Sequence, residues 1–188
     1  MIDDREKFLN HSFFKRGFAT TVATSKSYDF GKYFSIDDMD DNDEEAIIRC
    51  GTTKGDVTLR LFRKWSPNGY DRAVRLFEKK FYDDSHFYRV VPKFLVQFGI
   101  SYTKDTELVS YSKRSIQDDP KQEPPILFEP GTISFAGSGK NSRTSQLFIS
   151  YGSAQSLGTQ LWEIPIGKVI AGLNNAVNFH SYGDMPRE

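Results

Sequence analysis

The chain has 188 residues, with 25 basic and 25 acidic side chains and no formal net charge. That is enough for one full hydrophobic core and too little for two domains beside a polar N-terminal stretch. The balance of charge removes any overall attraction to nucleic acid or an anionic membrane. No run approaches the roughly 18 to 20 apolar residues that cross a bilayer, so no membrane insertion is expected. The single cysteine, Cys50, excludes an internal disulfide, and His11, His86 and His180 are too scattered to form a metal centre with it. No metal and no cofactor are expected, and a monomer is.

Residues 1–45 lack sustained periodicity and are read as a polar, mobile arm. Asp3, Asp4 and Glu6 suit neither a signal peptide nor an acid-poor transit peptide, although Phe13 to Val22 is mildly basic and apolar. A cytoplasmic location is the default, with a secretory-pathway or organelle lumen left open to a longer natural N-terminus. The arm ends in an acidic run, Asp37 to Glu45, with seven carboxylates in nine residues. Asp38, Asp40 and Asn42 alternate as in a calcium loop, but Asp43 stands where that turn needs glycine and Arg49 where it needs its closing glutamate. A solvated linker fits the pattern better.

Residues 46–188 read as one folded domain. Ile47 and Ile48, a turn at Thr52 to Gly55, and the alternating Val57, Leu59 and Leu61 predict a β-hairpin. Ser66 and Pro67 then read as the N-cap and first residue of a helix of about four turns, with Tyr70, Ala73, Val74, Phe77 and Phe81 on its apolar face. Strands follow at Phe87–Val91, Leu95–Gly99, Gly131–Ala136, Ser145–Tyr151 and Ile164–Val169. The polar stretch 101–130, with Pro120, Pro124, Pro125 and Pro130, is assigned to a long loop. Leu173, Ala176, Val177 and His180 predict a closing helix.

Two polar side chains stand out inside apolar strands: Arg89, and Gln97 within Phe94-Leu95-Val96-Gln97-Phe98. Both need partners if buried. A two-residue hairpin at Pro92-Lys93 would set Arg89 opposite Val96. A three-residue loop including Phe94 would set Arg89 opposite Gln97 and put both polar groups on one face beside Leu95. The plainer alternative is an Arg89 exposed on an edge strand. Gln146 and Phe148 likewise share a strand face. The Gly137 to Thr144 segment before them fails as a phosphate loop, since Asn141 replaces the Ser or Thr and a strand rather than a helix follows; it reads as a polar loop. No serine or cysteine hydrolase pattern is present.

Taken together, these segments resemble the cyclophilin family of peptidyl-prolyl isomerases over roughly residues 46 to 185. Phe87-Tyr88-Arg89-Val90-Val91-Pro92-Lys93-Phe94-Leu95-Val96-Gln97 is similar to the family's Phe-His-Arg-Val-Ile-Pro-Gly-Phe-Met-x-Gln segment without a gap. Gly131 to Ala136 through Ser145 to Ile149 resembles its second signature, and Ile166-Gly167-Lys168-Val169-Ile170-Ala171-Gly172 its closing Phe-Gly-Lys-Val-x-x-Gly. The resemblance implies a mainly β fold, a closed eight-stranded antiparallel barrel capped by two α-helices. It also implies cis/trans isomerisation of X-Pro bonds in polypeptides, in the service of protein folding. On matched positions Arg89 is the catalytic group and Gln97 orients it. Phe94, Leu95, Phe148 and Leu157 hold the proline ring, while Gln146 and the backbone at Ala136 and Gly137 hold the peptide.

The chain departs from the family where the pocket tryptophan corresponds to Ser156, which weakens the expectation of cyclosporin binding. A family histidine falls near Trp162 or Glu163. Met-Ala-Asn becomes Phe135-Ala136-Gly137, and Gly-Gly-Asp after the site glutamine becomes Phe98-Gly99-Ile100. The competing class is a proline-peptide-binding module with little or no turnover, its Ser156 to Glu163 edge remodelled. A barrel enclosing a small apolar ligand fits less well, because the resemblance implies a packed interior with the site outside it.

Overall fold

The computed structural model describes residues 19–26, 44–152 and 156–179. Its strands are β1 (Ala19–Lys26), β2 (Glu44–Gly51), β3 (Val57–Phe62), β4 (Arg89–Val91), β5 (Leu95–Phe98), β6 (Thr132–Phe135), β7 (Leu147–Ser150) and β8 (Pro165–Ala171). The helices are α1 (Pro67–Glu78), α2 (Thr106–Lys113) and α3 (Leu173–Val177), with a 3-10 turn at Arg63–Trp65. The strands form one antiparallel sheet in the order β1-β2-β3-β8-β6-β7-β5-β4.

That sheet is not the closed barrel the resemblance implies. β1 and β4 are its two edges, and among the described residues no ladder joins them. β4 has only three residues, and so short a strand offers few backbone groups with which to shut the ring. Nor do two helices suffice, since α2 lies inside the stretch read as loop. Its N-cap is Asp105, whose Oδ1 accepts the Glu107 and Leu108 amides at 3.0 Å each. The prolines that argue against helix all begin at Pro120, beyond its end. Residues of the polar arm also enter the sheet: the eight of β1, which pair with β2 from Ala19 opposite Gly51 to Lys26 opposite Glu44, and Glu44 and Glu45, which open β2. Residues 37–43 of the acidic run lie outside the described residues. Arg49, where a calcium loop would close, stands mid-strand in β2 opposite Thr58.

Helix α1 shows how distant residues complete a local element. It spans 12 residues, about three turns rather than four. Lys80 takes a left-handed φ of 56°, and the Phe81 amide returns to the Leu76 carbonyl at 2.9 Å, the closing bond of a Schellman motif. Phe81 therefore leaves the helix yet stays in the core at 3% exposure. At the other end Ser66 occupies the N-cap position without capping. Its hydroxyl instead donates to Asp119, whose carboxylate accepts the Asn68 amide at 2.9 Å and the Gly69 amide at 3.1 Å. The cap comes from 50 residues further along the chain. Gly69 is required here, because a Cβ would lie 2.5 Å from Ser66 Oγ and 2.8 Å from Ile166 Cγ2.

Strand alternation sorts the side chains into two layers. Val90, Val96, Phe98, Ile133, Phe135, Leu147 and Ile149 face the main core with Ile48, Leu59, Leu61 and the buried face of α1, including Tyr70, Leu76 and Phe77. The opposite face of β5, β6 and β7 carries a second, smaller apolar cluster, Leu95, Phe128 and Phe148, with Phe94, Ala136 and Leu157 packed against it. The period of two fixes this division.

Candidate functional site

The register of the β4–β5 hairpin decides which residues meet. Arg89 stands opposite Gln97, Val90 opposite Val96 and Val91 opposite Leu95. The connection is the three-residue loop Pro92-Lys93-Phe94, with Phe94 N–H donating to the Val91 carbonyl at 3.1 Å and Lys93 at φ 64°. Proline followed by a positive φ marks a type II turn, a position that suits glycine better than lysine. Gln97 stands opposite Phe148 on β7, and Phe148 opposite Ser134 on β6, so Arg89, Gln97 and Phe148 lie in one row across three strands.

Arg89 Nη1 donates to Gln97 Oε1 at 3.3 Å, Gln97 Nε2 donates to Gln146 Oε1 at 2.9 Å, and the Tyr88 hydroxyl donates to the same oxygen at 2.6 Å. Tyr88 joins this network through a slip in alternation. Phe87 packs on Phe98 and Phe179 in the core, with ring centroids 5.3 and 4.0 Å away, and Val90 also faces the core, leaving Tyr88 and Arg89 together on the outer side. Burial pushes the Tyr88 hydroxyl well above the ordinary tyrosine range, against smaller opposing effects of Gln97 and the Arg89 cation. It remains a protonated donor at neutral pH.

Beside this polar row sits the apolar cluster. Leu95, Phe94, Phe148, Leu157 and Ala136 pack together there, and Phe128 joins them, stacked on Phe148 with centroids 5.8 Å apart and planes at 16°. Neither Phe128 nor Tyr88 is singled out by sequence reasoning. Phe128 lies in an aperiodic, proline-rich stretch, and a regular strand would send Tyr88 to the core.

The far edge of the cluster is built from loops. Leu157 is held there by the turn around it: Glu163 Oε2 accepts the Gly158 amide at 2.9 Å, and Lys121 Nζ donates to the Gly158 carbonyl at 2.8 Å. Ser156 is exposed. Trp162 lies against Gly137, where a Cβ would stand 2.6 Å from indole Cδ1. The glycine that replaces the family's asparagine is thus what admits the indole.

The polar loop between β6 and β7 hides a buried cation. Arg143 is 0% exposed. It pairs with Asp119 at 3.0 Å and Asp118 at 3.3 Å, donates to Ser66 Oγ at 3.3 Å and to the Gln117 carbonyl, and sits with its guanidinium carbon 5.8 Å from the Phe135 ring centroid. Asp118 and Asn141 bond reciprocally, amide to side chain, at 2.8 Å each way. These contacts fix the chain that carries Ala136, Gly137 and Gln146 against the start of α1.

An arginine hydrogen-bonded to Gln97 thus borders an apolar cluster on the outer face of an antiparallel sheet. Residues 47–184 match the family model described as cyclophilin type peptidyl-prolyl cis-trans isomerase/CLD, and the chain belongs to that family. It is 30% identical over 109 residues to peptidyl-prolyl cis-trans isomerase-like 2 of Emericella nidulans, covering 57% of this chain and 18% of that protein. Against peptidyl-prolyl cis-trans isomerase cypE of Dictyostelium discoideum it is 30% identical over 108 residues, covering 57% of this chain and 69% of that one. The chain thus spans under a fifth of the length of the first of these relatives. A cyclophilin type isomerase of Cryptosporidium parvum shares the fold with a TM-score of 0.56 at 24% identity, over 73% of this chain and 89% of its own.

Proposed function

We propose that this protein binds proline-containing segments of polypeptides and accelerates cis/trans isomerisation of the X-Pro bond, assisting the folding of its clients. The observation that carries the reading is the juxtaposition of Arg89, held by Gln97, with the apolar cluster of Phe94, Leu95, Phe148 and Leu157. The cluster takes the proline ring, and the guanidinium stands beside it.

The barrier to X-Pro rotation is amide resonance, and the uncatalysed reaction takes tens to hundreds of seconds. As the bond twists, the prolyl nitrogen regains its lone pair. A guanidinium that donates to that nitrogen stabilises the twisted state more than either planar one, and lowers the barrier without proton abstraction or a covalent intermediate. Arg89 is suited to this, since a guanidinium offers several donors in a rigid planar fork and Gln97 already orients it. Gln146 and the backbone at Ala136 and Gly137 hold the peptide on either side. The C. parvum neighbour was crystallised in the presence of the dipeptide Ala-Pro, which makes that sequence the natural first probe.

The test is NMR exchange between cis and trans Ala-Pro peptide with catalytic amounts of protein. Arg89→Ala is expected to remove roughly a hundredfold or more of the acceleration, the size of a lost transition-state donor. Equal acceleration by the variant would sink the mechanism. The loop-built edge, with Ser156 exposed and Trp162 seated on Gly137, supports a second reading, a binding module without useful turnover. Peptide binding with no acceleration across several residues before proline would establish it.

A further inference from the structure

The hydrogen-bond network beside Arg89 has a direction that follows from donor and acceptor chemistry. Arginine only donates, so Gln97 must turn its oxygen to Arg89, as its 3.3 Å contact requires. That leaves Gln97 Nε2 facing Gln146, 2.9 Å away, where only an oxygen can receive it. Gln146 must therefore turn Oε1 inward. The Tyr88 hydroxyl, 2.6 Å from that same oxygen, reinforces the choice, because a phenolic O–H donates more strongly than its ring-conjugated oxygen accepts. Both acceptor directions of Gln146 Oε1 are then filled, and the opposite end of the same planar amide, Nε2, is turned away from the network.

We propose that Tyr88 is a positioning residue that locks the Gln146 side-chain amide in one orientation, so that the site offers an N–H donor rather than a carbonyl to a bound proline peptide. The inference rests on the peptide-binding reading of the site and sharpens it. An N–H donor selects a backbone carbonyl of the peptide, a group every residue carries. The recognition it supplies is therefore indifferent to the side chains flanking the proline. A freely flipping Gln146 would spend part of its time presenting an oxygen to that carbonyl, which repels it. Gln97 alone supplies one hydrogen bond against the flip, and Tyr88 supplies the second, shorter one.

Tyr88→Phe removes the hydroxyl and keeps the ring. Peptide affinity, read by titration rather than turnover, is expected to weaken about three- to tenfold, the size of one ordinary hydrogen bond. In a Gln146→Ala background the same change should cost less than about twofold, because nothing remains to orient. Equal losses in both backgrounds, or none in either, would overturn the proposal. A general loosening of the fold would fail this cycle, since it would weaken binding whether or not Gln146 is present. The free protein gives an independent readout: the Gln146 side-chain NH2 resonances should shift and broaden in Tyr88→Phe, and unchanged resonances would equally overturn it. That second measurement holds even if no proline peptide binds, an outcome that would instead remove the peptide-binding reading itself.

Discussion

The two sides of the site are built by different means. On one side, Arg89, Gln97 and Phe148 hang from adjacent antiparallel strands, and their meeting is settled by register alone. On the other, Leu157, Phe128, Trp162 and Gly137 come from loops, held by Glu163, Lys121 and the Arg143 cluster. A strand pair places side chains through many shared backbone bonds. A loop places them through a few side chains, each of which can be removed. The strand side should therefore resist single substitutions away from its own functional groups, and the loop side should not.

The sharpest way to break that contrast is Asp119→Ala. It strips the buried Arg143 of its closest carboxylate and the first turn of α1 of its cap. An expected cost of about 2–5 kcal/mol follows from losing a buried charge-assisted bond together with a helix cap, while Asp118 stays as the remaining carboxylate beside Arg143, measurable as a lower midpoint in urea unfolding. A loss under 1 kcal/mol would mean that the loop side does not depend on this carboxylate. Next in size is Gly137→Ala, whose Cβ would stand 2.6 Å from the indole of Trp162. Displacing the ring should cost about 1–3 kcal/mol and shift Trp162 fluorescence to the red, read in a Trp65→Phe background. The smallest effect belongs to the strand side. Lys93→Gly relieves a left-handed φ of 64° and is expected to add about 1 kcal/mol of stability, with unchanged peptide affinity.

The same division explains what the amino-acid sequence discloses. Arg89 and Gln97 announce themselves as polar residues in apolar strands, and their spacing around Pro92-Lys93-Phe94 leaves only two registers, one of which is found. The alternation of Gln146 and Phe148 is equally local. Phe128, Trp162 and Arg143 carry no such sign, because what makes each of them matter lies dozens of residues away. Arg143 reads as one more charge in a Gly- and Ser-rich loop until Asp118 and Asp119 are seen around it. Helix α2 is missed for another reason: four prolines from Pro120 to Pro130 colour the whole stretch, although Asp105 begins a capped turn well before them. The open sheet is likewise illegible, since whether two edge strands meet is decided by their lengths and the sheet's curvature together.

Asp119 also makes two distant parts of the chain a single unit of folding. The first turn of α1 has no cap of its own, because Ser66 spends its hydroxyl on the same carboxylate that pairs with Arg143. The helix over the main core is thus completed only when the loop bordering the site has closed onto it. Displacing that loop would strip the first turn of the helix of its cap as well. Core and site rise and fall in stability together, joined through one side chain that belongs to neither.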